Sequence, residues 1–323
     1  EALCDAASQM NIDELEEFIT HNWNDINSTI DQMHCEKPVP IYTSVDIRES
    51  RDKFAPVDNN IYPAGFNNVC ALDLDACSRE FSKVLKKKNS KIKLIGIFPE
   101  SHTKNLFYLD HLVFLGKTLR DAGFDVVFLS TDESIFQEKN KIELISQSKL
   151  ELTLFKASLS DSGEFEVKGQ KVDFVLLNND QSKPLDINWN QVKTPVAPPA
   201  FMGWFNRQKI KHFKAYKKIA DQFCEKYDID PNLIQAKFKE AKNIDFSSKQ
   251  GIESLAEQVD SLIRECNDGT KVFIKASQGT YGMGISVVGS GEEVLNMNRK
   301  IRNKMDLGKN KIKFTSALIQ EGI

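Results

Sequence analysis

No stretch of this sequence stays apolar for longer than a strand. Val172 to Leu177, interrupted only by Asp173, is typical of the longest apolar stretches, far short of the roughly 18 apolar residues of a membrane span. A helical membrane protein is excluded and a soluble chain expected. Basic charge is not in excess either: 43 Lys and Arg against 46 Asp and Glu leave a net charge of -3, so no overall field favours nucleic acid. Small charged ligands suit it better. The six cysteines, Cys4, Cys35, Cys70, Cys77, Cys224 and Cys266, include no CxxC pair. That argues against a disulfide framework or a zinc knot and for a reducing, cytoplasmic setting. No basic start leads into an apolar block, so a secretory signal is missing. Repeats and low-complexity segments are absent too. The chain opens on Glu1 rather than methionine and stops at Gln320-Glu321-Gly322-Ile323, directly after the strand-like Ala317-Leu318-Ile319. Both ends read as truncated.

What is present is an alternation of helical and strand patterns over 323 residues, 41% of them hydrophobic, enough for two folding units. Ile12, Leu15, Phe18, Ile19, Trp23, Ile26, Ile30 and Met33 recur at three- and four-residue steps and predict one amphipathic helix with a core-facing stripe. Pro38 and Pro40 end it. Lys91 to Phe98, Leu106 to Leu119 and Asp125 to Leu129, with Gly123 as helix stop, predict a βαβ unit. Strands at 152–156, 164–168 and 172–177 extend the sheet of a doubly wound domain. A lysine-rich helix over 205–227 and a second over 248–266 follow, then strands at 272–276 and 285–288 that make a hairpin.

The loop of that hairpin carries the chemistry. In Lys275-Ala276-Ser277-Gln278-Gly279-Thr280-Tyr281-Gly282-Met283-Gly284 a lysine ends an apolar strand and three glycines follow. Walker and kinase loops put the glycines before the lysine, and a dinucleotide fingerprint needs a strand-to-helix turn. None of these fits. Glycines let backbone N–H groups approach phosphate oxygens, and a lysine on the fixed strand supplies a point charge, which describes a nucleotide lid. The competing reading is an ordinary glycine-rich hairpin. Gly289-Ser290-Gly291, close by, has the spacing of a helix cap with Glu293 rather than of a dinucleotide site. Beside the lid, Leu318-Ile319-Gln320-Glu321 reads as a strand closing on a carboxylate, with Ile323 just beyond.

A second polar segment, residues 43 to 70, is dense in groups that recognise amino acids. Arg48 and Arg51 can fork onto a carboxylate, Asp46 or Asp58 can pair with an α-ammonium, and Asn59, Asn60, Asn67 and Asn68 offer both donors and acceptors. Phe54, Tyr62 and Phe66 suggest that the segment is packed rather than a solvated loop. Asn178-Asn179-Asp180 follows an apolar strand directly, where open α/β sheets place ligands, though it could equally be a turn. The lysines between Lys83 and Lys93 read as a solvated face, and no histidine has ligand spacing.

These residues resemble the ATP-grasp-type glutamate-cysteine ligases of the bacterial type. The resemblance rests on VDIRESRDKFAPVDNNIYPAGFNNVC at 45–70, LLNND at 176–180, the helix start Arg207-x-Lys209-x-x-His212-Phe213 and KASQGTYGMGI at 275–285. It implies a Rossmann-like pre-ATP-grasp domain over 1–200 and a partial, truncated ATP-grasp domain over 201–323. The implied reaction is the first step of glutathione synthesis: ATP phosphorylates the γ-carboxylate of L-glutamate, and the amine of L-cysteine displaces phosphate. Lys275, Arg48 and Arg51 would act in catalysis. Lys209, Lys275, residues Gly279, Thr280, Tyr281, Gly282, Met283 and Gly284, and Gln320, Glu321 and Ile323 would bind ATP. Asp46, Arg48, Arg51, Asp58, Asn59, Asn60, Tyr62, Asn67, Asn68, Asn178, Asn179 and Asp180 would bind substrate. Magnesium would assist, its carboxylate ligands lying beyond the chain end, so that the chain as given is expected not to catalyse. Another carboxylate-amine ligase such as a glutathione synthetase, or a non-catalytic nucleotide-binding protein, is the alternative. Partners are small molecules, with neither nucleic acid nor membrane, and a homo-oligomer is left open.

Overall fold

A computed structural model describes residues 10–34, 39–100, 105–242, 244–246, 248–277, 285–298, 302 and 316–323. The chain divides into two compact units. One comprises Glu1–Val39, Val45–Asn59 and Trp204–Ile323, the other Pro40–Ser44 and Asn60–Gly203. We call them the first and second unit.

The N-terminal periodicity forms two helices, α1 (Ile12–His21) and α2 (Trp23–His34), not one. Asn22 breaks it, its side-chain amide donating to the Phe18 carbonyl at 2.9 Å, and side-chain competition for a helix carbonyl is how asparagine ends helices. The start of α1 is a complete capping box of Asn11 and Glu14. The stripe is core at Leu15 and Ile26, but Trp23 is 57% exposed, so the expected core face does not run its full length. Residues 41–75, which show little periodicity, hold the hairpin β1 (Ser44–Glu49) and β2 (Phe54–Asn60).

In the second unit, α3 (Ala71–Lys88) and α4 (Leu106–Asp121) accompany β3 (Leu94–Pro99) and β4 (Asp125–Ser130). Then come β5 (Lys141–Ile145), β6 (Glu151–Leu159), β7 (Phe165–Val167), β8 (Gln170–Lys171), β9 (Phe174–Asn178) and β10 (Val196–Ala197). Their sheet has the order β10-β9-β3-β4-β6-β7-β8, with β5 also on β6. Strands β10, β9, β3, β4 and β6 run parallel, and the pairs at β5, β7 and β8 are antiparallel. Strands β3 and β9 are buried on both faces, as the central strands of a parallel sheet must be. Alternation sends Ile95 and Ile97 into the cluster with Leu109, Leu112 and Leu115 of α4, and Leu94 and Phe98 into the one with Phe165 and Val167. Gly96 has no room for a side chain, since a Cβ there would lie 2.2 Å from Leu129 Cδ2.

The rest of the first unit comprises α5 (Lys209–Tyr227), β11 (Phe238–Lys242), α6 (Lys249–Ile263), β12 (Val272–Ala276), β13 (Ile285–Val288), α7 (Gly291–Leu295) and β14 (Ser316–Glu321). Its sheet is antiparallel throughout, in the order β11-β14-β12-β13. Helix α6 lays Ile252, Leu255, Ala256, Val259 and Leu262 on one face, against Val272, Ile274, Ala317 and Ile319. That spacing is the helical period meeting the strand period. Leu318, of opposite parity, packs with Ile210 and Phe213 of α5. Lys275 is the register partner of Leu318 and Gln320 stands two residues along β14, so both belong to the α5 side of the sheet. The helix-cap reading of 289–293 is observed: Ser290 Oγ accepts from the Glu293 N–H at 3.3 Å and Glu293 Oε2 from the Gly289 N–H at 3.0 Å.

Candidate functional site

In the first unit two lysines are drawn inside. Lys275, on β12, is 6% exposed and Lys209, the first residue of α5, 4%. Lys275 Nζ donates to the Val57 carbonyl at 2.7 Å and to Gln320 Oε1 at 2.6 Å. Lys209 Nζ donates to both carboxylate oxygens of Asp58, at 2.6 and 2.7 Å. A cation at a helix start opposes the macrodipole, and Asp58 in front of it offsets that opposition. Trp204 adds an aromatic face, 4.7 Å from Lys209 Nζ and 4.6 Å from the Arg207 guanidinium. Arg207 donates to the Asn59 carbonyl at 3.0 Å.

Burial pushes the Lys275 ammonium down to about 8; nearby Asp58 opposes the fall and Lys209 adds to it. Burial lowers Lys209 too, against the pull of Asp58. Desolvation of a charge disfavours the charged form, and a neighbouring like charge does the same. Two polar atoms beside these groups are buried without a hydrogen-bond partner: Gln320 Nε2, a donor, and Asn59 Oδ1, an acceptor. The unmet donor of Gln320, whose Oε1 already holds Lys275, suits an anion, since an unmet buried donor otherwise carries an uncompensated desolvation cost.

The other expected residues of this unit are less enclosed. Asp46, Arg48 and Arg51 are exposed, although Asp46 and Arg48 are close enough to act electrostatically on Lys275. Glu321 is 5% exposed. Its oxygens accept from Lys53 Nζ at 2.9 and 2.8 Å and from the Lys237 N–H at 2.8 Å. Ile323 is half-buried. Gly279, Thr280, Tyr281, Gly282, Met283 and Gly284 lie outside the described residues. Ser277, just before them, accepts the Lys209 backbone N–H at 2.9 Å, which ties the base of the loop to the start of α5.

In the second unit Asn178, Asn179 and Asp180 stand at the carboxyl end of β9, beside the end of β3. Asn178 donates to Tyr42 Oη and to the Pro63 carbonyl, both at 2.8 Å, while its Oδ1 faces Tyr108 Oη at 2.8 Å and His111 Nε2 at 3.0 Å. Every polar atom of that side chain is engaged, so it acts as a hub that fixes the strand end. Asn179 donates to the Pro99 carbonyl at 3.0 Å, and the Asp180 N–H donates to Glu100 in a short contact. Tyr62 Oη donates to the Pro199 carbonyl at 2.8 Å, and Asn67 donates to Asn68 at 3.1 Å. Asn60 is half-buried.

Burial drives His111 down to about 4, against the hydrogen bond to Asn178. A base whose folded pKa lies below its unfolded value near 6.5 gives stability that is present above pH 6.5 and lost as pH falls toward 4. Thermal unfolding followed from pH 7 to pH 4 should therefore show His111→Gln losing less stability over that window than the parent. Equal losses would remove His111 as a cause.

Sequence reasoning missed Lys53, Glu100, Trp204 and, as a site residue, Arg207. Arg207 stood in a quoted motif, and its spacing to Lys209 is the signal that could have raised it. Lys53 meets a partner 268 residues away, which no local pattern announces. Among the described residues no group of three or more His, Cys, Asp or Glu side chains could hold a metal, and no helix is long and apolar enough to cross a membrane.

The sequence model of the family described as glutamate-cysteine ligase matches residues 16–323. Among solved structures, the chain is similar to one described as "Putative gamma-glutamylcysteine synthetase" from Methylobacillus flagellatus KT. The identity is 31%, the TM-score 0.87, and the match covers 99% of this chain and 76% of that one. A D-alanyl-alanine synthetase A from Vibrio cholerae O1 biovar eltor str. N16961 aligns at 12% identity and TM-score 0.36, over 72% of this chain and 60% of that one, too distant to carry an argument. No curated protein matches.

Proposed function

Because the chain belongs to the glutamate-cysteine ligase family, we propose that the buried lysines of the first unit are its ATP site and that it works as an ATP-grasp ligase. The function is that of a glutamate-cysteine ligase. The observation that supports the placement is the pairing of Lys275 and Lys209, both nearly inaccessible, with a Gln320 amide whose donor has no acceptor. Two enclosed ammonium groups with one carboxylate in direct contact leave positive charge that a polyphosphate would neutralise. In this reading the antiparallel sheet of the first unit belongs to an ATP-grasp domain over 201–323, and the parallel strands of the second to a Rossmann-like pre-ATP-grasp domain over 1–200. The hairpin of β12 and β13, which carries Lys275, would cover the phosphates. The four described cysteines are all free, which fits a cytoplasmic setting.

The chemistry is positioning plus charge neutralisation. Lys275 and Lys209 draw negative charge from the phosphates as the γ-phosphoryl group passes to the γ-carboxylate of glutamate. Arg48 and Arg51, exposed on the β1–β2 hairpin, would fork onto substrate carboxylates, and Asp46, Asp58 and Asn59 would supply acceptors and amides for the rest of the amino acid. The cysteine amine then attacks the acyl phosphate carbon, its nitrogen loses a proton, and phosphate leaves. The products are γ-glutamylcysteine, ADP and phosphate. Magnesium, when bound, would supply countercharge to the phosphates. The described residues do not fit it: they hold no metal-binding cluster, and Asp58 and Glu321 each face a lysine.

ADP release by the full-length enzyme should be fast with glutamate plus cysteine and near background with γ-glutamylcysteine plus glycine. Turnover confined to the second pair would make it a glutathione synthetase and sink the assignment.

A further inference from the structure

The turn of the β1–β2 hairpin ends in a buried cation. Ser50 to Lys53 close that turn: the Ser50 N–H donates to the Lys53 carbonyl at 2.8 Å and the Asp52 N–H to Ser50 Oγ at 3.4 Å. Arg51 lies inside the turn, and Arg48 stands just before it on β1. The Lys53 side chain, 9% exposed, leaves the turn for the end of β14, where Nζ donates to both oxygens of Glu321 at 2.9 and 2.8 Å. Glu321 Oε2 also accepts the Lys237 N–H at 2.8 Å. Strand β14 is itself paired on both sides, with β11 and β12, so the carboxylate is a fixed anchor. Farther along the hairpin β2 has other ties: Phe54 packs with Leu15 and Cys224, and the carbonyls of Val57 and Asn59 accept from Lys275 and Arg207. Among the described residues Lys53 is the one member of the turn whose side chain bonds to another element.

We propose that Lys53 and Glu321 are positioning residues for the ligase reaction, their ion pair fixing the hairpin turn so that Arg48 and Arg51 are aimed at the carboxylates of glutamate before it arrives. This rests on the reading of Arg48 and Arg51 as glutamate-binding. A buried ion pair is seldom the most stable filling for its space, since apolar groups of similar volume do as well or better. What it adds is direction. Two bonds from one ammonium to one carboxylate set where the turn lies, whereas packing of Phe54 alone would let it tilt. Arginine side chains lose much rotamer freedom on binding, and a turn already in place keeps the backbone from adding its own ordering cost. The benefit falls on glutamate. Lys275 and Lys209 belong to β12 and α5, outside the hairpin, so nucleotide binding should depend little on the turn.

Steady-state kinetics of the full-length enzyme tests it, at a temperature where unfolding curves show every variant folded. Lys53→Met with Glu321→Gln removes both charges, and the glutamine amide oxygen still accepts the Lys237 N–H. That variant should raise KM for glutamate by about tenfold, the worth of ordering one or two rotamer-rich side chains, with kcat and KM for ATP within about twofold of the parent. Lys53→Arg, which keeps the charge and the carboxylate contact, should restore most of the parent KM. In an Arg48→Ala, Arg51→Ala background the neutral pair should add nothing further, because its effect passes through the arginines. The proposal is overturned if the neutral pair leaves KM for glutamate unchanged, if KM for ATP rises as much, if kcat alone falls, if Lys53→Arg is no better than the neutral pair, or if the full increase persists without the arginines. The failure of the underlying reading looks different: Arg48→Ala with Arg51→Ala on the parent hairpin would itself leave KM for glutamate unchanged.

Discussion

Replacing Lys275 by methionine in the full-length enzyme should lower kcat/KM for ATP by about 10² to 10³-fold, the range for losing one preorganised electrostatic group at a reacting centre. Methionine keeps the bulk of the side chain, so the loss reads charge rather than packing. The position explains the size. Lys275 is fixed at the end of a strand paired on both sides, with β13 and with β14, and its ammonium is held by the Val57 carbonyl and Gln320. Little reorganisation is left for the moment of reaction. Because burial holds its pKa at about 8, the group is charged below that pH and neutral above it. In the parent, kcat/KM for ATP, which reports the free enzyme, should fall as pH rises through about 8, and Lys275→Arg should move that fall upward. Steady-state ADP release across pH checks both. Near-normal turnover in Lys275→Met would refute the role.

Glu321→Ala should destabilise the protein by about 3–5 kcal/mol, the usual result of stripping one partner from a buried ion pair. The alanine leaves the Lys53 ammonium, on a side chain that is 9% exposed, without its carboxylate. It also leaves the Lys237 N–H without its acceptor. Removing both charges, as in Lys53→Met with Glu321→Leu, should recover much of the loss because no unpaired ion remains. Recovery stays incomplete, since the unmet Lys237 N–H still costs about 1–3 kcal/mol. Urea unfolding of the single and double variants separates these terms. A single variant within 1 kcal/mol of the parent, roughly the worth of a surface pair, would mean that the pair is solvated.

The hairpin bearing Lys275 was legible because its signal is local: an apolar strand, a lysine, three glycines and a second strand occur within one window. Strands β12 and β13 fall where their pattern places them. Helix α3 was not legible, because Lys83, Lys86, Lys87 and Lys88 crowd its C-terminal half while its buried contacts are only Ser78, Phe81 and Leu85. Strand β11, Phe-Lys-Glu-Ala-Lys, is hidden by its own charges and is a strand because β14 pairs with it. At the sites, residue type was readable but engagement was not. Asn178 has the chemistry of a ligand group, yet the fold spends its side chain on Tyr42, Pro63, Tyr108 and His111. Asp58 and Lys209, 151 positions apart, could each be picked out, but their pairing exists only in three dimensions.

The central claim is that the lysine cluster of the first unit binds ATP, and equilibrium titration of a non-hydrolysable ATP analogue tests it most directly. One site per chain is expected in the parent, with affinity reduced at least tenfold in Lys275→Met and in Lys209→Met, about 1.4 kcal/mol or more of lost binding each. An analogue that binds both variants as tightly as the parent would contradict it.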